Sequence, residues 1–255
     1  DAINIPDGPR ASSRISPMIT AAKIQAEAGI ETILHVCCRD RNVLGMQSDF
    51  LGAHLMGLRN ILAITGDPPK LGDYPEATAV YDLDSIGMTK LLKNLNCGRD
   101  LGAKRFSPAL EMTIGVGVNP AATDIQREME RFKAKVQAGA EYAVTQPVFD
   151  IYCLRKFCDA ANVFGIPIIA GIWPFISYKN AEFMANEVPG ITVPIAILER
   201  MSRASTKSDG IKIGIEIAQE MIDGVNDCVG GFAVSAPFGN VSIALAAIGK
   251  GTPNL

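Results

Sequence analysis

The chain has 255 residues, 48% of them hydrophobic and 20% charged, enough for one large α/β barrel or two small domains with a sizeable core. Its 24 basic and 27 acidic residues leave a net charge of −3, with no run of five like charges, so the electrostatic footprint of a nucleic-acid binder is absent. The longest apolar runs are strand-sized and broken by charges, no basic segment precedes an apolar one near Asp1, and the expected location is the cytoplasm.

Apolar, β-rich runs alternate with helical patterns from end to end. Strands are predicted at 2–6, 32–37, 60–65, 112–118, 141–146, 167–172 and 231–235. Runs of this kind, apolar at successive positions, belong to strands buried on both faces, which are parallel and joined by right-handed crossovers. Ser16-Pro17 and Asp84-Ser85 supply capping residues ahead of helical stretches. The stretch 124–138 places Ile125, Met129, Phe132 and Val136 at helical spacing. The last strand is followed by Pro237-Phe238-Gly239 and a short apolar helix ending near Ile248.

No linker, repeat or low-complexity tract interrupts 1–255, so one domain is expected. Seven strands in steady alternation point to an α/β fold of the (β/α)8 TIM-barrel class, with the first βα unit expected before Asp1. An open dinucleotide-binding sheet is disfavoured, because Gly115-Val116-Gly117 continues as Val118-Asn119-Pro120 and no glycine fingerprint follows a first strand.

Six cysteines raise the question of disulfides or metal. Cys37 and Cys38 are adjacent on a predicted strand and point to opposite faces, and there is no Cys-x-x-Cys and only two histidines. Reduced thiols and no metal site are expected.

In a barrel of this class, chemistry gathers at the C-terminal ends of the strands. Those ends carry Asp7, His35, Thr65-Gly66-Asp67, Asn119, Gln146 and Ser235. Singly, each has a structural reading: Asp67 as a turn former, His35 as a satisfied core histidine, Gln146 as the cap of a helix beginning near Asp150. Together they describe a small-molecule pocket. No Ser or Cys has a general base beside it in a recognisable motif, which disfavours acyl transfer. Asp7 and Asp67 could form an acid/base pair for glycosides, but one Trp and five Tyr offer few sugar-stacking platforms. Arg131, Lys133 and Lys135 could hold a phosphate or form a solvated basic face.

Four segments, in order, resemble the methylenetetrahydrofolate reductase family over 1–248. They are His35-Val36-Cys37-Cys38-Arg39-Asp40, Ile64-Thr65-Gly66-Asp67-Pro68-Pro69-Lys70, Lys135-Val136-Gln137-Ala138-Gly139-Ala140 and Ala143-Val144-Thr145-Gln146-Pro147-Val148-Phe149-Asp150. Asp7-Gly8-Pro9-Arg10-Ala11-Ser12 and the segment 67–81 are similar to a bacterial subgroup often fused behind a homocysteine methyltransferase domain, so an upstream methyltransferase domain or a homo-oligomer is a possible partner.

The resemblance implies a flavoenzyme that reduces 5,10-methylenetetrahydrofolate to 5-methyltetrahydrofolate. FAD, or FMN in its place, receives hydride from NADH or NADPH. It places His35, Thr65, Gly66, Asp67, Tyr81, Asp82, Asn119, Glu128, Arg131 and Lys135 at the flavin. Gln146, Asn180, Phe183 and Met184 fall at the folate, and Asp67 and Gln146 are the expected catalytic residues, with Asp67 held in a partly dry site. The family's general acid, a glutamate on the first strand, has no counterpart here and is expected before Asp1, with Asp7 the first alternative. Thr65 stands where many relatives have arginine, Asn119 where many have tyrosine, and Asn180 replaces a glutamine. The stacking phenylalanine aligns with Met184, next to Phe183. A non-catalytic barrel partner of a true reductase is the alternative, and a barrel aldolase or glycosidase would be colourless.

Overall fold

The computed structural model of the chain describes residues 1–188 and 190–253. Seven strands are formed: β1 (Ala2–Ile5), β2 (Glu31–Cys37), β3 (Asn60–Ile64), β4 (Thr113–Val118), β5 (Tyr142–Pro147), β6 (Ile168–Ile172) and β7 (Gly231–Val234). Each predicted run overlaps its strand to within a residue at either end. The described helices are α1 (Pro17–Ala28), α2 (Val43–Leu55), α3 (Ser85–Asn96), α4 (Ile125–Ala138), α5 (Ile151–Ala161), α6 (Tyr178–Glu187), α7 (Ile195–Ser202), α8 (Lys207–Val225) and α9 (Val241–Ala247).

Strand order follows chain order from β1 to β7. Parallel pairing runs β1 to β2 to β3 to β4, and again β5 to β6 to β7. Parallel neighbours in chain order, with helical crossovers between them, are the topology of a (β/α)8 barrel with one βα unit fewer. None of the described helices is long and apolar enough to cross a membrane.

The chain divides into two compact units, Asp1–Gly117 with Arg131–Tyr142, and Val118–Glu130 with Ala143–Leu255. In the first, Leu34 and Val36 of β2, Ile61 and Ala63 of β3 and Ile114 of β4 bury themselves against Met46 and Phe50 of α2 and Met88, Leu91 and Leu92 of α3. Because side chains alternate along a strand, this packing sends Ile33, His35 and Cys37 to the other face of β2. In the second unit, Phe149 and Phe175 stack with ring centroids 4.6 Å apart. Ala181, Met184, Ile191, Val193, Met201 and Ile217 belong to the same cluster.

Helix starts follow the capping chemistry, with two departures. Asp84 accepts from the Ile86 and Gly87 amides at 3.1 and 3.0 Å, as expected of an N-cap. Ser16 makes no side-chain cap bond, and α1 starts instead on Pro17, whose missing N–H needs no partner there. The cap of α5 is Asp150, which accepts from Cys153 N at 3.1 Å; Gln146 lies too far upstream to reach that turn.

Candidate functional site

The first unit assembles its polar groups where β1, β2 and β3 end. Asp7, just past β1, is buried, and its Oδ2 accepts from the Cys37 amide at 2.9 Å and from Arg41 Nη1 at 2.7 Å. Arg41 in turn holds Asp49 through Nε at 2.9 Å. Both contacts at Asp7 are donors, so this carboxylate acts as an acceptor that ties the β1 end to the β2 end.

Burial, then the charge of Asp7, pushes the Cys37 thiol up to about 12, and burial does the same for Cys38. Neither is a thiolate nucleophile. All six cysteines are free. Among the described residues Asp7, Cys37 and Asp40 offer ligand atoms within 4.8 Å of one another. Asp7 is committed to Arg41 and Asp40 to Arg39, so the group reads as an ion-pair network.

His35 lies in mid-strand with Nε2 3.1 Å from Asn4 Oδ1 on β1. Burial lowers its pKa from 6.5 to about 4 against the opposing pull of Asp7, which keeps the imidazole neutral at pH 7. Both the bond to Asn4 and the neutrality agree with a satisfied strand histidine and with an uncharged hydrogen-bonding partner for a ligand.

The chain turns sharply after β3. Gly66 has φ +92°, and a Cβ there would stand 2.9 Å from Cys37 Cβ, so only glycine fits. The Gly66 carbonyl accepts from Tyr81 Oη at 3.2 Å. Thr65 Oγ1 accepts from the Ser85 amide at 3.2 Å, at the start of α3. Asp67 is exposed, not held in a dry site, and its Oδ2 accepts from the Arg10 amide at 2.8 Å. Asp82 accepts from Val43 N at 3.1 Å and so supports the start of α2.

Arg131 reaches Asp84 at 3.3 Å, and buried Lys135 donates to the Gly117 carbonyl at 2.7 Å. The two cations are one turn apart on α4. A cleft of about 290 Å³ opens beside the loops after β1 and β2, lined by Asp7, Gly8, Ser12, Arg14, Arg39, Asp40 and Tyr74 among others, and its lining does not include Arg131, Lys135, His35 or Asp67.

The second unit carries the remaining residues. Asn119 N donates to Glu128 Oε1 at 2.9 Å, and Asn119 Nδ2 to the Gly190 carbonyl at 2.9 Å, so these two predicted residues are joined directly. Gln146 is exposed near the end of β5. Asn180 is buried on α6 with its Oδ1 3.5 Å from Trp173 Nε1. Phe183 is 40% exposed, whereas Met184 is 5% exposed and belongs to the core. Of the two, Phe183 presents the accessible aromatic surface. Ser235 donates its amide to Ile172 at 2.9 Å and continues the β7 ladder.

Sequence reasoning gave no role to Arg10 and Arg39, which it met only within longer segments, or to Arg41. The charged run Arg39-Asp40-Arg41 directly after a strand does not say which distant groups its side chains grip, nor that the Arg10 amide meets Asp67.

A family model described as methylenetetrahydrofolate reductase matches residues 1–232. The chain is 26% identical over 217 residues to methylenetetrahydrofolate reductase 1 of Schizosaccharomyces pombe, covering 82% of this chain and 34% of that protein. It is 28% identical over 204 residues to the probable methylenetetrahydrofolate reductase (NADPH) of Caenorhabditis elegans, covering 79% and 29%. Against the 5,10-methylenetetrahydrofolate reductase of Salmonella typhimurium it is 26% identical over 212 residues, covering 80% and 66%. The chain thus spans roughly a third of the length of the fungal and nematode relatives. Among solved structures, an EDTA monooxygenase from Chelativorans sp. BNC1 matches with a TM-score of 0.51 at 12% identity over 92% of this chain and 78% of that one, a likeness of fold alone.

Proposed function

Because this chain belongs to the methylenetetrahydrofolate reductase family, we propose that it serves the flavin-dependent reduction of 5,10-methylenetetrahydrofolate to 5-methyltetrahydrofolate, with NADH or NADPH as hydride source. The observation that carries the reading is the family match across 1–232, which contains all the residues assigned above to the flavin and the folate.

The donor set of the first unit fits a flavin adenine dinucleotide. His35 offers an uncharged imidazole, the Thr65-Gly66 segment a tight backbone turn, and Arg131, part-exposed beside Asp84, a cation for a phosphate, with buried Lys135 one turn further along α4. Tyr81 and Asp82 border the same turn, through the Tyr81 hydroxyl on the Gly66 carbonyl and the Asp82 carboxylate on the Val43 amide. FMN, which lacks the diphosphate, uses less of this set. When bound, the flavin supplies the two-electron carrier between nicotinamide and folate.

The chain's own residues do the rest. Opening the folate's five-membered ring leaves an iminium cation, and the Asp67 carboxylate, oriented by the Arg10 amide, stabilises that charge. Gln146 both donates and accepts, as the pterin amide edge demands. Phe183 gives the aromatic surface and Asn180 a fixed amide beside Trp173. Asp7, with Oδ2 engaged by the Cys37 amide and Arg41, serves as an acceptor that holds these loops together.

The test is the flavin itself. The purified protein should be yellow, or become so with FAD or FMN, at about one flavin per chain. A protein that takes up neither would overturn the proposal.

A further inference from the structure

Arg39 is 5% exposed and its side chain makes four hydrogen bonds. Nε and Nη2 fork onto the two carboxylate oxygens of Asp40, each at 2.8 Å. Nη1 spans two loops, donating to the Gly8 carbonyl at 3.3 Å and the Asp67 carbonyl at 3.2 Å. The fork pushes the Arg39 pKa further up, so the cation is permanent, and with Asp40 opposite it has no charge to spare for an anion.

The loop that Arg39 grips at Gly8 is held elsewhere too. Asp67 Oδ2 takes the Arg10 amide at 2.8 Å, and Asp73 takes the Ser13 amide at 2.8 Å. Between these grips Arg10 and Ala11 have φ of +57° and +52°, a left-handed backbone that non-glycine residues keep only when their surroundings force it. The Arg10 amide that meets the Asp67 carboxylate therefore points where it does because the loop is pinned on both sides. Arg39 joins the two partners of that bond, one through Gly8 and the other through the backbone of Asp67 itself.

We propose that Arg39, locked by Asp40, is the positioning residue of the Asp67 carboxylate: by bridging the Gly8 and Asp67 carbonyls it sets the Arg10–Asp67 hydrogen bond and with it the direction of the catalytic charge. The inference rests on the role given to Asp67 above. A lysine cannot replace Arg39, since a single ammonium cannot fork onto Asp40 and also reach two carbonyls. The consequence belongs to the step in which the folate cation forms, because that step alone depends on where the Asp67 charge sits.

The experiment compares Arg39→Lys, Asp67→Asn and the double variant in the flavin-loaded protein, with the NADH and methylenetetrahydrofolate half-reactions followed separately. Arg39→Lys should slow the folate half-reaction about 10–100-fold, as for a misplaced reacting group, with little change in folate KM or in the NADH half-reaction. In the Asp67→Asn background, Arg39→Lys should cost nothing further, because Arg39 acts through the carboxylate that is gone. Independently of activity, hydrogen exchange at the 8–13 amides should quicken in Arg39→Lys. If that variant fails to fold, Asp40→Asn, which loosens the fork from an exposed position, should reproduce the pattern more weakly. Losses that multiply in the double variant, equal losses in both half-reactions, or unchanged exchange at 8–13 would overturn the bridge. A wild-type protein that reduces no folate would instead overturn the proposed function, and an active one indifferent to Asp67→Asn would remove both Asp67 and Arg39 from the mechanism.

Discussion

Asp67 offers its carboxylate at an exposed strand end, with one oxygen on the Arg10 amide. Asparagine in its place keeps the shape and an oxygen for that amide but deletes the charge. Folate reduction should then fall about 10–1000-fold, the scale of one lost electrostatic stabiliser, while NADH oxidation suffers much less because no folate cation forms in it. Equal losses measured in the two half-reactions would reduce Asp67 to a loop support. His35 gives a separate, pH-dependent expectation. Its pKa falls from 6.5 to about 4 on folding, so between those values the unfolded chain binds the extra proton. The stabilisation tied to neutral His35 is full above about pH 6.5 and drains as pH drops toward 4, a loss on the order of 3 kcal/mol. Denaturation titrations from pH 7 to 4 should show that slope, and His35→Gln, which cannot titrate, should flatten it. An unchanged slope would mean other groups carry the acid sensitivity. Both residues were picked out in the sequence as lying at strand ends, and the structure puts Asp67 just past β3 but His35 within β2. What holds them was not legible: the Arg10 amide and the Arg39 guanidinium reach Asp67 from 57 and 28 positions away, and Asn4 meets His35 from 31, a juxtaposition that no local pattern encodes.

The helices were legible wherever a local rule decides them. Asp84-Ser85 announces α3 because the cap chemistry acts within a single turn, and the Asp84 carboxylate also meets Arg131. Asp84→Ala should therefore cost about 1 kcal/mol, read as a lower thermal midpoint. No detectable change would show that water caps α3 equally well. The sequence offered Gln146 as the cap of α5, but the cap is Asp150, which stands at the distance a cap can span. Close approach of elements was not legible at all. Gly214 in the middle of α8 reads as a helix weakener, yet a Cβ there would lie 1.9 Å from the Phe175 carbonyl oxygen. The helix backbone rests on the segment after β6, and Phe175 stacks on Phe149 from that segment. Gly214→Ala should destabilise by roughly 1–3 kcal/mol or more through forced displacement of backbone, checked by chemical denaturation. A neutral or stabilising outcome, as helix propensity alone would give, would contradict that packing.

At the scale of the chain, the alternation of strand and helix was legible because doubly buried parallel strands appear as short apolar runs, and seven such runs became seven strands in chain order. Membership of the reductase family follows from four ordered segments whose spacing that scaffold sets, and the family match over 1–232 bears it out. Two site details escaped the sequence because burial is a property of the folded chain. Met184, aligned with a stacking position, is spent on the core beside Phe175, and exposed Asp67 sits in a wetter place than expected. Both bear on the folate step more than on the flavin step, so the decisive measurement has to see the two apart. An anaerobic absorption spectrum of the flavin-loaded protein does this, recorded alone, then after NADH or NADPH, then after methylenetetrahydrofolate. The account predicts loss of the oxidised flavin band with nicotinamide and its return with folate, accompanied by methyltetrahydrofolate. A flavin that bleaches but is not reoxidised by methylenetetrahydrofolate would contradict it.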